Sequence, residues 1–139
     1  MVSERSYFGG VWRLALCTFV ALAPAGARQP KPDVQGETQL GKLLAGRVAG
    51  KPRDCIDLRS SQDSEVIDHT AIVYRDGRTL WVNRPLGGLN TLDYNSILVT
   101  KNFTSQLCSI DPVHLIDRTS HFERGFVSLG KFVPYTKPR

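Results

Sequence analysis

The chain has 139 residues, 41% hydrophobic and 22% charged, which is enough for one globular core and too little for two. Its net charge of +5 is scattered, without the clustered cations and interleaved aromatics of a nucleic-acid reader, so nucleic acid is not expected as a partner. Three histidines and three cysteines set a low ceiling on metal chemistry.

Residues 1–27 read as a signal peptide. Arg5 and Arg13 precede an apolar run from Leu14 to Ala23, and Pro24 leads into the small-residue site Ala25-Gly26-Ala27. The run is shorter than the roughly 20 residues that span a membrane, and no later segment approaches that length. The expectation is therefore a periplasmic or secreted protein with no transmembrane span in its mature form. Leu16 before Cys17 argues against lipid attachment. Removal of these residues takes away two arginines and one glutamate, leaving a net charge of +4. It also removes Cys17, so Cys55 and Cys108 are expected to form a disulfide in an oxidising compartment. That bridge closes a loop of 54 residues, counting both ends, worth about 4 kcal/mol in the chain-entropy picture.

Residues 28–37 (RQPKPDVQGE) hold two prolines, a glycine and few bulky apolar side chains, and read as a flexible linker. The single domain is expected over residues 38–139. Thr38 is the predicted cap of a short helix with Leu40, Leu43, Leu44 and Val48 on one face, ended by Gly50 and Pro52. Gly41 and Gly46 weaken it, so it must lean on the domain.

Beyond Pro52 short β-branched runs alternate with turn residues, giving predicted strands at 55–58, 64–68, 70–75, 78–83, 96–101, 113–117 and 126–133. The expected class is mainly β, a small barrel or sandwich of antiparallel sheet with one short N-terminal helix, α+β by strict count. Asp76-Gly77 predicts a two-residue hairpin loop with Arg75 opposite Arg78 and Val73 opposite Leu80. One face then carries Ala71, Val73, Leu80 and Val82, the other Ile72, Tyr74 and Trp81. A hairpin apolar on both faces is expected to be covered on both, by the helix or by a second sheet. An exposed Trp81 face would instead be a binding surface.

Chemistry is sparse. His69, His114 and His121 show no metal-ligand spacing, and no metal or other cofactor is expected. Gly-x-Ser-x-Gly is absent, and Gly87-Gly88 lacks the lysine and hydroxyl of a phosphate loop. Asn102-Phe103-Thr104 fits the glycosylation triplet, a signal without meaning in most bacteria. Asp54, Asp57 and Asp111 could act as general acid and base beside the Cys55–Cys108 bridge, as a small periplasmic hydrolase or lyase would require. Without a catalytic pattern, the first expectation is a non-catalytic binding or structural protein of the cell envelope. Arg75, Arg78 and Arg84, near the hairpin ends, are its candidate anion-binding residues, for an anionic envelope component. Another envelope protein is the alternative partner.

Between Leu43 and Tyr135 the segments LLAGRVAGKP, CIDL, VIDHTAIVYRDGRTLWVNRP, ILVTKNFTSQLCSID and GFVSLGKFVPY resemble a family of small exported alphaproteobacterial proteins of unknown function. The resemblance spans nearly all of the expected domain. It implies a periplasmic location and paired Cys55 and Cys108, and brings no catalytic residues.

Overall fold

The computed structural model describes residues 33–61 and 63–139. The predicted signal peptide, with Cys17, and residues 28–32 of the predicted linker lie outside the described residues.

Helix α1 (Val34–Leu43) starts four residues before the predicted cap. Asp33 stands extended at the N-cap and its carbonyl accepts the Glu37 N–H at 2.9 Å, while Thr38 is internal, its hydroxyl donating to the Val34 carbonyl. Residues 34–37 therefore belong to the helix. Gly36 is its contact point, since a Cβ there would collide with the Thr70 hydroxyl and the Asp68 carbonyl. What reads as a linker glycine is a close approach between helix and sheet. Gly46, at φ +70, lies in the turn that follows, so Val48 leaves the predicted helical face for a strand and is exposed.

Ten strands follow: β1 (Val48–Ala49), β2 (Cys55–Asp57), β3 (Asp63–Ile67), β4 (Ala71–Asp76), β5 (Thr79–Asn83), β6 (Ser96–Val99), β7 (Gln106–Cys108), β8 (Pro112–Asp117), β9 (Glu123–Ser128) and β10 (Phe132–Thr136). They form three antiparallel sheets in the orders β1-β10-β5-β4-β3, β2-β7 and β6-β8-β9. The described residues are mainly β with a single short α-helix. The predicted strand at 126–133 is two strands, because the chain passes from the three-stranded to the five-stranded sheet across 129–131, and β7 has no predicted counterpart. β2 and β7 meet at Cys55 and Cys108, which are disulfide-bonded.

The hairpin of β4 and β5 closes one step later than predicted. Asp76 faces Thr79 and the loop is Gly77-Arg78, so Arg75 faces Leu80 rather than Arg78, and Val73 faces Val82. Gly77 has φ +53 and Arg78 is not in the left-handed region, which places the glycine first, as a type II′ loop requires. The two faces nevertheless hold the predicted residues. Ala71, Val73, Leu80 and Val82 pack with Ile67 under Leu40 of α1, whereas Ile72 and Tyr74 pack with Phe132 of β10 and with Leu107, Leu115 and Val127 from the other sheets. Trp81 is half-buried at the rim of that second cluster, with the Arg53 guanidinium 5.7 Å above its ring, so its face is covered rather than open.

Candidate anion-binding site

The structure separates the three arginines that the hairpin brings to notice. Arg75 crosses to β3, where Nη2 donates to Glu65 at 3.1 Å. Arg84, just past β5, makes a forked contact with both carboxylate oxygens of Glu37 on α1. This hydrogen bonding holds the Glu37 carboxyl below its ordinary value and the Arg84 guanidinium above its own. Arg84 is thus a tether between helix and sheet. Both arginines are already paired with a carboxylate.

Arg78 has a different setting. Its carbonyl accepts Nη1 of Arg47 at 2.6 Å, and the same nitrogen lies 3.4 Å from the Tyr135 carbonyl. Arg47 is thereby anchored to the hairpin loop and to β10, while its remaining N–H groups have no hydrogen-bond partner among the described residues. Around it lies a depression of about 440 Å³ lined by Arg47, Gly77, Arg78, Lys137, Pro138 and Arg139. Four of these six residues are cationic, and none is acidic. Like charges gathered without an acidic side chain among them repel one another, and an anion in their midst relieves that repulsion.

Sheet order creates this cluster. β10 lies between β1 and β5, which brings the end of α1, the hairpin tip and the residues after β10 to one place. Arg47 lies 31 residues from Arg78, and nothing in the local sequence joins them.

The acids proposed for catalysis each have a partner of their own. Asp54 pairs with Lys131 at 3.3 Å, and Asp111 accepts the Cys108 N–H at 2.8 Å. Asp57 accepts the Arg59 N–H at 2.9 Å, which, with the Arg59 side chain, holds its carboxyl below the ordinary value. Asp117 is likewise lowered by the N–H groups of Ser120 and Thr119. Asp57, Asp111 and Asp117, each of which follows an isoleucine in the sequence, satisfy turn amides at strand ends. Among the described residues no group of three or more His, Cys, Asp or Glu side chains could hold a metal ion. His69 and His121 occupy left-handed turn positions, and His114 contacts Glu123 at 2.6 Å. No helix among the described residues is long and apolar enough to cross a membrane.

No protein-family model, curated protein or solved structure matches the chain.

Proposed function

We propose that this chain is a non-catalytic, exported binding protein of the cell envelope that engages an anionic component through the basic depression at its hairpin tip. The observation that carries this reading is the convergence of Arg47, Arg78, Lys137 and Arg139 on one depression with no acidic side chain in its lining. Arginine offers forked donors suited to phosphate and carboxylate. The charged start and small-residue site of residues 1–27, together with the resemblance to exported alphaproteobacterial proteins, support export. A disulfide in the fold is consistent with an oxidising compartment.

The test is sedimentation with vesicles of phosphatidylglycerol or of phosphatidylcholine, with soluble polyphosphate as competitor. The protein is expected to sediment with the anionic vesicles, less so as salt rises, because the contacts are exposed and screened. An Arg47→Gln, Arg78→Ser double variant should lose this binding, while Arg75→Ser should keep it, since Arg75 already serves Glu65. Displacement by polyphosphate would identify the recognised group as phosphate rather than the lipid surface. Equal sedimentation of the double variant and the parent, or indifference to salt, rejects the reading.

A further inference from the structure

A second feature stands apart from the basic tip. β3 and β6 are each the last strand of a sheet, and a continuous groove separates them. Its wider part, about 630 Å³, is lined by Gln39 of α1, Val66, Tyr94, Ile97 and Arg118 among others. The narrower part, about 360 Å³, reaches Leu58, Tyr74, Thr100 and Leu107, and Asp63, Ser64 and Leu98 line both. We propose that this groove binds an extended peptide of a partner protein, added as an antiparallel strand to β6, with a carboxylate at its C-terminal end held by Arg118.

The choice of edge follows from the two walls. β3 begins Asp-Ser-Glu, and its Ser64 N–H is already taken by the Asp63 carboxylate at 2.8 Å. Charges and self-satisfied amides are how an edge strand avoids pairing. β6 is Ser-Ile-Leu-Val, uncharged and β-branched at two of four positions, with half-buried side chains from Ile97 to Val99. Such an edge offers backbone groups to an added strand, the mode in which main-chain hydrogen bonds give affinity and alternate side chains give specificity. Tyr74 supports occupancy at the narrow end. It is 5% exposed, and its hydroxyl has no hydrogen-bond partner among the described residues. A carbonyl brought in by a ligand is the acceptor it lacks.

Charge fixes the direction. β6 runs from Ser96 and Arg118 at the wide end to Thr100 at the narrow end. An antiparallel peptide runs the other way, so its N-terminal side lies toward Thr100 and its C-terminal side beside Arg118. A cationic residue at its start meets Asp63, and a carboxylate at its end meets Arg118. At about 3.4 Å per residue, the four residues of β6 take a peptide core of similar length.

The probe is a heptapeptide mixture with Lys first, Val, Ile, Thr or Leu at the five central positions, and a last residue that is Ala as a free acid, Ala-amide or Glu-amide. Binding to the purified protein is read by fluorescence anisotropy. The free-acid mixture is expected to bind roughly three- to tenfold more tightly than the amide, and Arg118→Ser should abolish that preference. The Glu-amide arm tells a C-terminal carboxylate from an acidic side chain. Resynthesis of an enriched member with N-methyl groups on alternate residues tests the pairing itself. One alternation should abolish binding and the other preserve it, because only one set of N–H groups faces β6. Absence of binding by all three mixtures, loss or retention in both alternations, or an undiminished free-acid preference in Arg118→Ser overturns the proposal.

Discussion

Asn83 is fully buried at the end of β5, the central strand of its sheet, yet it carries a polar side chain. Its Nδ2 donates to the Gly130 carbonyl at 2.7 Å, and its Oδ1 accepts the Gly130 N–H at 3.1 Å. This two-bond clamp fixes the segment between β9 and β10 against β5. Gly130 has no room to adapt, since a Cβ there would lie 2.5 Å from the Arg84 carbonyl oxygen. Asn83→Ala therefore strands a buried N–H and a buried C=O. At about 1–3 kcal/mol for each of the two stranded groups, the loss is roughly 2–6 kcal/mol. Domain stabilities are about 5–15 kcal/mol and urea slopes about 1–3 kcal/mol per molar, so a loss of about 3 kcal/mol lowers the urea midpoint by roughly 1–3 M.

Asn83→Asp separates hydrogen bonding from packing, because the shape is kept. In its neutral form the introduced carboxylic acid can donate its O–H to the Gly130 carbonyl and accept the Gly130 N–H as asparagine does. In its ionised form it sets an anion against a carbonyl oxygen in a buried site. Both effects raise its folded pKa above the unfolded value of about 3.9. The stability of this variant relative to the parent is then fully present below about pH 4 and falls as pH rises through the raised folded pKa. The assay is urea denaturation of parent and variants between pH 3.5 and 8. An alanine variant within about 0.3 M of the parent midpoint, or an aspartate variant whose difference from the parent does not change with pH, would refute the clamp.

Reduction should expose Cys55 and Cys108 to alkylation and lower the melting temperature, because opening the loop between them frees the unfolded chain by about 4 kcal/mol; alkylation of the native protein before reduction would contradict the bridge. Gly77→Val should destabilise the fold by about 1–2 kcal/mol through backbone strain alone, since Gly77 sits at φ +53 with nothing within 4 Å of a would-be Cβ. Gly77→Asn should cost less, and equal denaturation midpoints for the two variants would show that the left-handed conformation is not what the loop requires.

The hairpin shows which parts of this fold are legible in the sequence. Moving the loop from Asp76-Gly77 to Gly77-Arg78 changes every cross-strand partner by two positions, and a change of two leaves each side chain on its original face. The division of Ala71, Val73, Leu80 and Val82 from Ile72, Tyr74 and Trp81 therefore survives an error in register, and with it the two-sided core. Helix α1 is legible in its leucines and not in its start. Its first turn is stabilised by Gly36 fitting against Thr70, a tertiary contact that outweighs poor helix propensity. β7 is three residues long and tied to β2 by the disulfide, too short for any periodicity to mark it.

Candidate sites are less forgiving, because they depend on what lies opposite what. The case for Arg75 and Arg78 as a pair rests on register, and the register places Leu80 where Arg78 was expected. Arg84 has the right charge at the right end of a strand, yet α1 begins early enough to bring Glu37 against it, and the same early start that escapes the sequence pattern removes Arg84 from the free cations. Arg47 enters the basic cluster because β1 and β5 flank β10, an order that no local pattern specifies. The groove between β3 and β6 is further still from sequence, since it is defined by two strands that do not pair. Alternation puts Ser64 on the face of Val66 and marks Leu98 as inward, but the absence of a neighbour beside each strand becomes visible only when the sheets are assembled. Core faces follow from the two-residue period of a strand, whereas sites arise at the ends and edges of sheets, where strand order decides which residues meet.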